Sequence, residues 1–171
     1  MSRAQTASGA LGGAIGGGAF VALALALATP TVERWEGTRT DPYKDMVGVW
    51  TVCTGETRVT MRRYTPAQCA EMLRHALESD YAPAVLAAVP ALHERPYQLA
   101  ASISLSYNIG IAAFARSTVA RRFNLGDWHG GCEAFLMWDR AGGRLVPGLA
   151  NRPRDERKLG LTDLCRCRPT P

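Results

Sequence analysis

The chain has 171 residues, 47% of them hydrophobic and 20% charged, with a formal net charge of +5; that is enough for one compact domain or two small lobes sharing a core, and too apolar to stay disordered. A multidomain machine is excluded, and the 10 Pro and 17 Gly form no collagen-like repeat. The basic balance points to an acidic surface as partner, whether nucleic acid, anionic lipid or a wall polymer. The arginines are dispersed, however, with no aromatic RNA-binding signature or paired-cysteine finger among them, so no nucleic-acid partner is expected.

The chain opens on an uncharged stretch from Ala4 to Val32, preceded only by Arg3. Within Ser8 to Ala28, seven large apolar residues stand among seven alanines and six glycines, giving a bilayer insertion energy of only ~−2 to −4 kcal/mol before the glycines subtract from it. The segment is long enough to span a bilayer and only marginally inclined to do so. Three readings compete: a signal peptide cleaved at an Ala-x-Ala register, a permanent anchor, or a segment that is inserted first and later leaves the membrane to join the folded domain. All three put the remainder on the outer face of the inner membrane. Five cysteines fit an oxidising compartment, and an odd count leaves one thiol unpaired in a monomer. Cys53 and Cys69 are the candidate disulfide. Cys165-Arg166-Cys167 has no second pair to make a zinc site, so neither metal nor cofactor is expected.

The soluble domain is placed at residues 31–164, after a segment 1–30 and before an unassigned tail 165–171. Met46 to Val52 alternates loosely and is rich in β-branched residues, predicting a small hairpin sheet with turns at Thr54-Gly55 and near Arg62-Arg63. Thr65-Pro66 reads as an N-cap with proline at the first helical position, and Cys69, Met72, Leu73, Ala76 and Leu77 recur at helical spacing. Further helices are predicted over Leu99–Tyr107, Ser117–Phe123, Trp128–Trp138 and Arg152–Leu161. A small sheet in front of a mainly helical lobe makes an α+β protein. One stretch conflicts: Ser102, Ser104 and Ser106 alternate with Ile103, Leu105 and Tyr107, which by periodicity alone is a strand.

The informative constellation is ERWEGTRTDPYKDMVGVWTVCTGET, where Glu36-Gly37 is followed by Tyr43-Lys44-Asp45, Gly48, Thr51 and Gly55-x-Thr57. Its order and spacing resemble the phage lysozymes, or endolysins, of glycoside hydrolase family 24. The resemblance continues through Tyr107, Asn108, Gly110, Phe114, Ser117 and Thr118, then Trp138, Ala141-Gly142-Gly143, Gly148-Leu149 and Arg152, covering roughly Val32 to Leu161. It resolves the serine stretch as helix. The Gly/Ala-rich start is similar to the signal-anchor-release subgroup of these enzymes.

The resemblance implies a lysozyme-like fold, peptidoglycan as substrate and an inverting cleavage of its β-1,4 bond, carried out by a monomer with no cofactor. That chemistry needs one protonated carboxyl for the leaving oxygen and an ionised one to activate water, roughly 6.5 to 9.5 Å apart. Glu36, with Trp35 as apolar cover, is the expected acid. Asp45, in a polar turn beside Lys44, is the expected base, and Thr51 is expected to hold the water. Asn108 and Arg152 are candidate substrate contacts, with an arginine from the Arg152 segment expected close to Glu36. Two departures stand out: Glu56 replaces the family's histidine in the glycine turn, predicting altered local stability, and Arg152-Pro153-Arg154 replaces an Arg-Arg pair. A lytic transglycosylase and a non-catalytic, membrane-tethered wall-binding protein are the alternatives.

Overall fold

A computed structural model describes residues 12–45, 47–141, 144, 145 and 151–164, the side chains of 12–17, 140, 141, 144 and 145 excepted. Met46, Gly142, Gly143, Gly148, Cys165, Cys167 and the start of the Ser8–Ala28 segment lie outside it.

Helix α1 runs unbroken from Gly12 to Glu36, through the boundary expected near Thr31. Ala24, Ala28 and Val32 recur at intervals of four and are fully buried in the main core, while Phe20 and Leu23 face outward. Small residues on that face let α1 lie close along α4. Pro30 removes one intrahelical donor, and the threonines on either side bond back into the preceding turn, Thr29 to the Leu25 carbonyl and Thr31 to that of Leu27. Among the described residues, no helix is long and apolar enough to cross a membrane. Gly37, with φ of 69°, ends α1 in the left-handed conformation that glycine adopts without strain.

The antiparallel hairpin follows, β1 over Arg39–Lys44 and β2 over Trp50–Cys53, with Tyr43 opposite Thr51 and Lys44 opposite Trp50. Only the end of the expected Met46–Val52 strand is strand. Val47 to Val49 belong to the connecting turn, because Asp45 accepts their backbone N–H groups and bends the chain back. Beyond β2, Val52 and Glu56 pair as an isolated bridge around a tight turn holding Cys53 at φ of 58° and Gly55 at 89°. A left-handed Cys53 is conformationally costly, and its disulfide to Cys69 pins it.

Helix α2 (Pro66–Ala76) starts at the predicted cap, where Thr65 accepts from the Gln68 N–H and the Gln68 side chain accepts in return from the Thr65 N–H. It joins two cores: Cys69 packs with Val52, Cys53 and Tyr64, and Leu73 packs into the helical lobe. A π-type turn (Leu77–Tyr81) leads to α3 (Ala82–Ala88), and a 3-10 turn (Pro90–Glu94) leads to α4 (Pro96–Ile109). The serine stretch is helix. Every residue from Gln98 to Ser106 is buried because α4 lies inside the lobe against α1 and α8, so no polar face exists to set a helical period.

Helices α5 (Ile111–Ala115), α6 (Thr118–Asn124) and α7 (Trp128–Glu133) close the lobe. The helix expected through Trp138 tightens to a 3-10 turn over Ala134–Trp138. A two-residue hairpin, β3 (Arg140–Ala141) and β4 (Arg144–Leu145), precedes α8 (Asn151–Gly160). Pro153 sits in the first turn of α8, where a missing N–H costs nothing. The architecture is a small sheet against a helical lobe, as the sequence predicts.

Replacing Cys53 and Cys69 together by serine reopens a loop of sequence separation 16, which should lower stability by about 3 kcal/mol. Urea denaturation of the two proteins measures it; a difference below about 0.5 kcal/mol would show that the link constrains nothing beyond the native turn.

Candidate functional site

Glu36 is the last residue of α1, and its side chain is 30% exposed. Its Oε1 accepts from Arg152 Nη1 at 2.5 Å. The arginine expected close to Glu36 is therefore Arg152, and the carboxylate meets its guanidinium. Arg152, the second residue of α8, spends its other nitrogens inward, Nη2 on the Ser104 carbonyl at 2.9 Å and Nε on Glu156 Oε1 at 3.1 Å. Glu156 is fully buried, and its Oε1 also accepts from the Ser104 hydroxyl at 2.7 Å. Burial pushes its carboxyl up to about 7, against the pull of Ser104 and Arg152. The sequence reading found Arg152 but missed Glu156, although their i, i+4 spacing was a signal for a helical ion pair.

Asp45 stands at the neck of the hairpin. Its backbone N–H bonds the Val49 carbonyl, and its Oδ1 accepts from Val47 N at 3.0 Å and Val49 N at 2.8 Å. The Lys44 ammonium lies 5.4 Å from the centre of the Trp50 ring, so the lysine expected beside Asp45 packs on an aromatic face. Thr51, 4% exposed, donates its hydroxyl proton to the Val49 carbonyl at 3.1 Å. Its oxygen lone pairs remain available to accept. One short turn thus orients both side chains.

A groove of about 520 Å³ runs between the hairpin end and the helical lobe, with Gly55, Glu56, Arg58, Asp80, Tyr81 and Tyr107 among its lining residues. Tyr107 donates to the Thr54 carbonyl and stacks on Tyr81, ring centres 4.9 Å apart, so the end of α4 is fastened to the turn after β2. Burial, with the Glu36 charge as a smaller contributor, raises both phenols above their ordinary value. Glu56, at the histidine position, caps the N–H groups of Thr57 and Arg58 with its Oε1 at 2.9 and 2.8 Å. Arg58 then bridges it to Asp80, at 3.6 and 2.8 Å. The acid in the glycine turn is held across the groove by an arginine. Asn108 is exposed on the last turn of α4, next to Tyr107. Among the described residues no group of three or more His, Cys, Asp or Glu could hold a metal.

A carboxylate and an acceptor-rich hairpin beside an open groove, on a lysozyme-like α+β frame, define a glycoside hydrolase of the lysozyme type. The family described as Phage lysozyme matches residues 33–156, and the chain belongs to that family. A SAR-endolysin of Enterobacteria phage P21 is 35% identical over 159 residues, covering 89% of this chain and 93% of that protein. A SAR-endolysin of Escherichia phage Mu is 39% identical over 116 residues, 65% of each. Among solved structures, a P22 lysozyme superposes with a TM-score of 0.68 at 30% identity, covering 78% of this chain and 94% of that one. The muramidase domain of SpmX from Asticaccaulis excentricus gives a TM-score of 0.65 at 28% identity, covering 78% and 94%.

Proposed function

We propose that the chain is an endolysin that hydrolyses the β-1,4 bond between N-acetylmuramic acid and N-acetylglucosamine in peptidoglycan, with inversion, to lyse the host cell. The observation that carries this reading is the Glu36 carboxyl, held by Arg152 yet open to solvent, on a chain of the Phage lysozyme family. Glu36 gives its proton to the leaving glycosidic oxygen. Asp45 takes a proton from a water that attacks the opposite face of the sugar, using the carboxylate edge its turn leaves free. Thr51, having donated to Val49, accepts a hydrogen bond from that water and fixes its lone pair toward the anomeric carbon. Arg152 orients the acid. Asn108 contacts the glycan from the rim of the groove.

Glu36→Gln keeps the shape but carries no transferable proton, and kcat should fall by about 10²- to 10⁴-fold on purified peptidoglycan. A loss of less than about tenfold would remove Glu36 from the acid role. Inversion should place the new reducing end first as the α-anomer, read by proton NMR during digestion. A 1,6-anhydro product with Asp45→Asn at full rate would mean a transglycosylase.

We also infer that residues 8–28 hold the enzyme in the inner membrane and are retained after it leaves for the periplasm. Two relatives are named SAR-endolysins, the type that the Gly/Ala-rich start resembles. Its physical support is that Ala24 and Ala28 pack fully buried against the helical core, so cleavage after Ala28 would open a groove along α4. Intact mass of the periplasmic enzyme should include residues before Ser8; a species beginning at Thr29 would mean a cleaved signal peptide.

A further inference from the structure

We propose that Glu156 is a positioning residue for the acid: it holds Arg152 by its Nε and balances the guanidinium charge, so that Glu36 faces an arginine already shared with a second carboxylate. The proposal rests on Glu36 being the general acid. Three observations carry it. Arg152 has a partner on each side of its planar fork, Glu36 on Nη1, the Ser104 carbonyl on Nη2 and Glu156 on Nε, so its orientation is fixed by three elements at once. Glu156 is fully buried, touches no solvent, and its Oε2 has no hydrogen-bond partner among the described residues. A carboxyl in such a place is costly unless a charge compensates it, and the charge it meets is the one that Glu36 also uses.

The surroundings add little that competes. On α8, Asp155 is engaged by Arg34 of α1 at 3.1 Å, and Arg157 pairs with Glu133 of α7 at 2.5 Å. Helix α4 offers only the Ser104 hydroxyl and carbonyl, and the turn Ala134–Trp138 carries no ionisable side chain. Asp139 follows that turn. Two carboxylates and one guanidinium therefore form a trio whose net charge depends on Glu156. With Glu156 ionised the trio has charge to spare, and a proton on Glu36 relieves it. With Glu156 neutral, Arg152 is left to Glu36 alone and holds it as carboxylate.

The test is the pH profile of kcat/KM for the full-length chain on a soluble peptidoglycan oligomer. Glu156→Gln keeps an oxygen for Arg152 and Ser104 but removes the charge, so the alkaline limb, which reports loss of the acid's proton, should move about one pH unit toward acid. At pH 7, kcat should drop roughly tenfold with KM within about twofold. Glu156→Asp keeps the charge but draws it back from Arg152, so its limb should move the same way by less. An unshifted limb in whichever variant folds by circular dichroism, with only a lower melting temperature, would make Glu156 a structural residue and overturn the proposal. So would a higher KM with unchanged kcat. Glu36→Gln in the same assay separates the two claims: if it stays active, the acid reading falls and takes this inference with it. If it is inactive while the Glu156 variants keep the original limb, only this inference falls.

Discussion

The guanidinium of Arg152 is the junction on which the site depends. It joins the last residue of α1, the middle of α4 and the first turns of α8 through a single side chain. Its side chain is 9% exposed, which makes its hydrogen bonds directional and expensive to leave unmade. Glu36 belongs to a helix end, which frays readily when it is free; Arg152 gives that end a fixed position relative to the core.

The other half of the site is local and covalently braced. Asp45 and Thr51 are both oriented through Val49, one accepting its N–H and the other donating to its carbonyl. The hairpin that carries them is tied down at its far end by the disulfide from Cys53 to α2 and by Tyr107 on the Thr54 carbonyl. The end of α1 thus carries Glu36, and the hairpin carries Asp45 and Thr51. The small residues of α1 serve the core, where Ala24, Ala28 and Val32 are fully buried.

Much of this was legible in the sequence because the relevant signals were short-range. Thr65-Pro66 announced α2, Glu36-Gly37 a helix end, and the spacing through Asp45 and Thr51 a family pattern. What was not legible came from burial on all sides or from contacts across the chain. The Ser102–Tyr107 alternation mimicked a strand because α4 is enclosed by α1 and α8 and has no wet face. The start of the Met46–Val52 stretch mimicked a strand because its β-branched residues, Val47 and Val49, sit in a turn that an Asp45 hydrogen bond closes. Glu156 carried no signature apart from its spacing to Arg152, and its importance appears only once both are seen to be inside.

The central claim is that Arg152 fixes the end of α1 through Glu36, and a double-mutant cycle tests it most directly. Glu36→Gln, Arg152→Gln and the double variant are unfolded in urea at pH 7, and the coupling is taken from the four stabilities. The account predicts a coupling of about 1 kcal/mol or more, since the pair is partly withdrawn from water and closely hydrogen-bonded. Losses that add to within about 0.3 kcal/mol would mean that the two side chains merely lie near each other, and would contradict it.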